Sequence, residues 1–132
     1  MLRFAPVFAA SLFLSIHFGS TLYFHSSFLN DYFQPNIVSL LFLLGALGNL
    51  FLFLFAPKLI RRFGKRSLLF LSLILSAAGT FIFAFTITRP TIIAAFIVYS
   101  TFLPMVYYCL DIFLEELSTD AKTGEIRGIY LT

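Results

Sequence analysis

Residues 37–57 read IVSLLFLLGALGNLFLFLFAP, residues 58–66 read KLIRRFGKR, and residues 67–87 read SLLFLSLILSAAGTFIFAFTI. Two continuously apolar runs thus flank nine residues that hold five cations (Lys58, Arg61, Arg62, Lys65 and Arg66) and no acid. A helix rises 1.5 Å per residue, so about 20 apolar residues span the hydrocarbon core of a bilayer. Neither run alternates apolar with polar, as a barrel strand would, and in lipid a helix satisfies every backbone amide from within. The reading is two membrane-crossing helices joined by a tight basic turn at Gly64.

The rest of the chain repeats this layout. Counting His as neutral, 27 uncharged residues separate Arg3 from Asp31, 26 separate Asp31 from Lys58, 22 separate Arg66 from Arg89, and 21 separate Arg89 from Asp111. Each run is long enough for one crossing and too short for two. The expectation is an all-α polytopic bundle, a single membrane domain over residues 1–132 with four transmembrane helices near 6–27, 37–57, 67–87 and 91–112. Composition agrees: 60% of the 132 residues are hydrophobic and 11% charged, against roughly 25% charged in an ordinary soluble domain. With a mean hydropathy of +0.97, so short a chain cannot turn all its apolar surface inward, which excludes a water-soluble globule. The net charge of +3 is bunched rather than spread along a face, which argues against nucleic acid as a partner. The lone Cys109 allows no intrachain disulfide. The first run exceeds the 7–15 apolar residues of a signal peptide and contains polar side chains, so it reads as a retained span.

Loop charges set the expected orientation. The turn around Asp31 carries no cation and the one at Arg89–Pro90 carries one, so the basic turn and both termini are placed in the cytoplasm, in the plasma membrane or, in a bacterium, the inner membrane. Residues 113–132 become a cytoplasmic segment. Trp is absent, which leaves Tyr23, Tyr32, Tyr99, Tyr107 and Tyr108 as interfacial aromatics. Gln34–Pro35–Asn36 breaks the chain between the first two spans. Pro90 suits the first turn of the fourth, and Pro104 should kink it.

Several side chains stand out within the spans. His17, Thr21 and His25 recur every four residues and line one stripe, with Ser20 beside it. An ionisable group mid-span is a functional candidate, although a neutral imidazole can also simply hydrogen-bond to a neighbouring helix. Gly45, Gly48 and Asn49 cluster on the second span, and Ser72, Ser76 and Thr80 repeat on the third. These read as packing residues that let backbones approach. At the end of the fourth span, Asp111 and Glu115 share a helix face, with Tyr107 and Tyr108 one turn deeper. Both acids can pair with Arg62, Lys65 and Arg66 or merely end the helix in water, and Glu116 and Asp120 are read as doing only the latter. No enzyme signature, phosphate loop or metal-ligand spacing is present, so neither enzymatic activity nor a cofactor or metal is expected.

Residues 57–66, Pro-Lys-Leu-Ile-Arg-Arg-Phe-Gly-Lys-Arg, resemble the signature of the major facilitator superfamily between helices 2 and 3, Gly-x-Leu-x-Asp-Arg-x-Gly-Arg-Arg. Leu59, Arg62, Gly64, Lys65 and Arg66 match; Pro57 replaces the first Gly, and Arg61 replaces the Asp that the family uses to latch its two halves. A basic turn is also what the positive-inside rule alone produces. The resemblance implies a secondary active transporter of about twelve helices in 3+3 repeats that moves a small solute, with a proton or ion, by alternating access. It assigns His17, Thr21, Tyr99, Tyr107 and Tyr108 to a cavity lined by helices 1 and 4, and Asp111 and Glu115 to a cytoplasmic gate with the basic turn. It also implies that Thr123–Gly124 leads toward a fifth helix, the remaining helices belonging to a longer chain. Two other readings stand beside it. One is a complete four-helix protein acting as a homodimeric exporter or flippase, although the first span lacks the acid that small exporters carry. The other is a scaffold subunit that transports nothing.

Overall fold

A computed structural model describes residues 5–117, which form four helices: α1 (Ala5–Tyr32), α2 (Pro35–Phe63), α3 (Lys65–Phe85) and α4 (Arg89–Leu117). No strand occurs among the described residues. Asp120, Lys122, Thr123, Gly124 and Arg127, on which the expected lead into a fifth helix rests, lie outside them, as does Arg3. Helices α2, α3 and α4 are long and apolar enough to cross a membrane. The 28-residue α1 interrupts its apolar run with His17, His25 and several hydroxyls.

The links are short, and local chemistry explains each. After α1, the Phe33 amide donates to the Leu29 carbonyl at 2.9 Å. Gln34 is extended, and Pro35 opens α2, where its missing N–H would have had no helical partner anyway. The Gln34 carbonyl then accepts the amides of Ile37 and Val38. The turn expected over nine residues is a single residue, Gly64, with φ +80° and ψ 150°. Only glycine adopts that backbone without strain. Helix α2 runs through Pro57 to Phe63, which puts Arg61 and Arg62 in its last turn against the negative end of the helix dipole. Helix α3 stops at Phe85, where β-branched Thr86 turns extended. The Thr88 hydroxyl donates to the Thr91 hydroxyl at 2.7 Å as α4 begins.

Helix α4 is the hub. Of its most apolar stretch 44% is buried, against 17% for α2 and 28% for α3. It packs most extensively on α3, then on α2, while α1 lies across it more lightly. Two apolar clusters lie at opposite ends of the bundle. One joins Leu29, Val38, Leu41, Phe83, Ile92, Ala95 and Phe96; the other, at the basic end, joins Ala56, Leu68, Met105 and Cys109. Between them is a waist of small and polar residues. Outward-facing Leu43, Leu47, Phe51, Leu54, Phe70, Ile74 and Phe81 are all exposed, as lipid-facing side chains should be.

At Gly79 on α3 the neighbouring helix is met at its backbone. A Cβ there would lie 2.9 Å from the Ala95 carbonyl oxygen and 3.0 Å from the Tyr99 backbone nitrogen, both on α4. Backbone atoms cannot swing aside, so a methyl group would force the helices apart. At Gly19 a Cβ would meet nothing within 4 Å. Gly79→Ala should therefore destabilise the bundle by about 1–2 kcal/mol, overpacking outweighing the gain in helix propensity, whereas Gly19→Ala should stabilise it by about 0.5–1 kcal/mol. Denaturant titration in detergent micelles reads both; equal shifts for the two variants would contradict the close approach.

Candidate functional site

The waist brings side chains from all four helices to one level. Tyr99 on α4 is buried at 5% exposure and hydrogen-bonds to Thr21 on α1 at 2.7 Å. The Thr21 hydroxyl also donates to the His17 carbonyl at 2.7 Å. A threonine hydroxyl has one proton, so with that proton spent on its own helix Thr21 accepts from the Tyr99 hydroxyl. The Tyr99 ring lies between both imidazoles: its centroid is 5.9 Å from that of His17 and 4.6 Å from that of His25, edge-on in each case. His25 is 3% exposed and also abuts Phe83 and Phe96.

Two clefts flank this cluster. One, of about 290 Å³, lies between α1, α2 and α4, with His25, Asn49, Tyr99 and Ser100 as its polar lining among Phe18, Phe42 and Phe96. The other, of about 390 Å³, lies between α1, α3 and α4 and is lined by His17, Ser76 and Thr80 with Leu14, Leu73 and Phe81. No charged side chain lines either.

The residues expected to form a cavity do not all meet. His17, Thr21 and Tyr99 are together. Tyr107 shares a face with Tyr99, eight residues away, and its ring meets Phe18 of α1 at 6.5 Å. Tyr108 is a further 100° around the helix and faces α2, its ring 5.4 Å from that of Phe53 in the cluster at the basic end. His25, two residues from the expected end of the first span at residue 27, is the more deeply buried imidazole because α1 extends to Tyr32 and carries it inside the bundle.

The small residues work in two ways. Gly45 and Gly48 of α2 face Ser100 and Thr101 of α4; a Cβ on Gly48 would lie 2.5 Å from the Thr101 hydroxyl oxygen, and one on Gly45 would collide with the Ser100 hydroxyl. Asn49 donates across the same contact to the Thr101 carbonyl at 3.2 Å. On α3, Ser76 and Thr80 bond back to Leu73 and Ser76 carbonyls of their own helix, so they act there by size. Gly79 escaped the sequence reading, although it falls on the Ser72–Ser76–Phe83 face and that register could have found it.

At the basic end, Lys65 forms an ion pair with Glu116, and its ammonium is also 5.1 Å from the Phe113 ring centroid. Glu116, read from the sequence as a helix-ending acid, is thus a partner of the basic turn. Asp111 is half-buried and Glu115 exposed, and each is engaged in an interaction of its own. Arg62 covers the Phe63 ring at 5.4 Å. Arg66 is exposed, and Leu59 packs against the lower apolar cluster. Among the described residues no group of His, Cys, Asp or Glu could hold a metal ion.

Against this geometry, the family model described as MFS/sugar transport protein matches residues 2–127. The chain belongs to that family. It is therefore part of a transporter family rather than an enzyme family, and a multi-pass membrane protein. No curated protein and no solved structure matches the chain.

The Tyr99–Thr21 bond is a polar tie between α1 and α4. A double-mutant cycle of Tyr99→Phe and Thr21→Val should give a coupling of about 0.6–1.7 kcal/mol, the range of interhelical hydrogen bonds in membranes. Additive unfolding shifts would show that the two hydroxyls do not interact.

Proposed function

We propose that this MFS/sugar transport family chain forms the first four helices of a secondary active transporter that moves a small, sugar-like solute by alternating access. The family match supports the reading, and the observation that carries it is the His17–Thr21–Tyr99–His25 cluster between α1 and α4, in which Tyr99 and His25 are buried and His17 and Thr21 half-buried, flanked by clefts. Hydroxyls and imidazoles on an otherwise apolar wall suit an uncharged, hydroxylated solute. Such a solute exchanges water hydrogen bonds for protein ones and stacks an apolar face on Phe18, Phe42 or Phe96. Two bundles rocking about a midplane site give transport, so the remaining helices come from a longer chain or from a second copy. His17 is the proposed proton carrier, with Tyr107 one level nearer the basic end.

In this reading both termini and the basic turn face the cytoplasm of a cell whose plasma membrane holds the protein, on the charge asymmetry of the loops. The basic turn with Asp111, Glu115 and Glu116 makes the cytoplasmic gate. The Lys65–Glu116 pair is partly solvated, its side chains 29% and 50% exposed. Such a pair contributes at most about 1 kcal/mol, a strength that lets a gate open and close within a transport cycle.

Uptake of a panel of radiolabelled sugars into proteoliposomes that hold the complete transporter, with and without a proton gradient, tests this. Thr21→Val or Tyr99→Phe should reduce uptake about tenfold, the cost of one lost hydrogen bond in the binding step, and His17→Gln should flatten its pH dependence. Lys65→Glu should impair transport and pairing it with Glu116→Lys should restore part of it. Uptake of none of the sugars, or full uptake by Thr21→Val and Tyr99→Phe, would overturn the proposal.

A further inference from the structure

A third cleft, of about 400 Å³, opens between α2, α3 and α4 on the side away from α1, and the transport reading makes no use of it. Its walls are Leu52, Leu59, Phe63, Leu68, Leu71 and Phe102, with Ser67 the one polar lining residue. Leu52 to Phe63 is eleven residues of α2, or about 16 Å of helix at 1.5 Å per residue. That length equals about half of the hydrocarbon core of a bilayer, the depth of one leaflet.

Basic residues adjoin the lining of this groove at its Phe63–Ser67 end. Phe63 forms one wall, and the Arg62 guanidinium lies over its ring at 5.4 Å from the centroid. Arg66 directly precedes Ser67 on the facing helix, and Lys58, one helical turn back, rests over Phe55 at 5.7 Å. Among the described residues this end of the bundle holds five cationic side chains and three acidic ones, Asp111, Glu115 and Glu116; Glu116 pairs with Lys65, the other two acids are also engaged, and cations remain in excess by two. An apolar slot one leaflet deep under an excess of positive charge is complementary to a molecule with an anionic head and a hydrocarbon tail.

We propose that this groove is a binding site for an anionic phospholipid, its phosphate held by Arg62 and Arg66 and one acyl chain lying along Phe63, Leu68 and Leu71. Each basic side chain near an anionic lipid surface contributes about 1 kcal/mol, or about fivefold in affinity. The pair should favour phosphatidylglycerol over zwitterionic phosphatidylcholine by about 25-fold.

The site is tested on the full chain by native mass spectrometry from detergent, titrating phosphatidylglycerol against phosphatidylcholine, a readout independent of transport. The expected result has three parts: preferential retention of phosphatidylglycerol, loss of that preference in Arg62→Gln/Arg66→Gln, and loss of lipid retention in Ser67→Trp, which fills the slot without changing charge. Glycerol phosphate, the same head without a tail, should fail to displace the lipid. The absence of any preference in the unmodified chain overturns the proposal, as does its persistence in the double Gln variant or unaltered retention in Ser67→Trp. Displacement by glycerol phosphate shows a simple anion site and overturns it too. The lipid preference and the competition need no variant, so misfolding of a substituted chain leaves the test standing.

Discussion

The bundle depends on how closely the backbone of α4 approaches α2 and α3. In lipid, apolar side chains gain little by leaving the hydrocarbon for each other, so helices associate through dispersion contacts and interhelical hydrogen bonds. Both require short distances, and short distances require small residues. Gly79 brings α3 onto α4 at Ala95 and Tyr99, and Gly45 and Gly48 bring α2 onto α4 at Ser100 and Thr101. Apart from Ala95, one turn earlier, these contacts fall on three consecutive residues of α4, Tyr99 to Thr101, just above Pro104. Pro104 has no amide to offer the Ser100 carbonyl, and its ring crowds that turn of the helix. Asn49 reaches across from α2 to the adjacent carbonyl, that of Thr101. A neighbouring helix thus supplies a donor where the proline weakens the ladder, the usual condition for a proline inside a membrane helix.

The same approach positions the polar cluster. Because Gly79 holds Tyr99 in place, the Tyr99 hydroxyl emerges toward α1 at the level of Thr21, and its ring fills the space between His17 and His25. Helix α1 is attached less firmly than the others. Much of it is exposed, and its contacts with α4 include this cluster, the aromatic contacts of Phe18 and His25, and the apolar cluster that holds Leu29. A helix with little buried apolar contact shifts at low free-energy cost, which the proposed alternating access would require.

Much of the architecture was legible in the chain itself. Uninterrupted apolar runs bounded by charges identify helices, because length and the need to satisfy backbone amides leave lipid few alternatives. Pro35, Pro90 and Gly64 mark where helices begin or join. Helix ends were less legible: α2 and α4 continue into their charged flanks, so the turn at Gly64 contracts to one residue, and Pro57 and Pro104 are accommodated rather than terminating anything. For the site, the four-residue spacing of His17, Thr21 and His25 marks a stripe on α1. The spacing alone does not say which imidazole is buried more deeply, which depends on how far α1 extends and what packs against it.

The sequence by itself determined that this is an all-helical membrane protein with a basic turn between its second and third helices, since those features follow from local composition and the dimensions of a bilayer. Only the tertiary structure decided that Tyr99 pairs with Thr21 while Tyr108 faces α2, that Gly79 is a contact point, and that Glu116 pairs with Lys65. Those outcomes depend on the rotation of each helix about its axis and on the distance between axes. Residues far apart in the chain set both quantities jointly, and no local run of sequence encodes them.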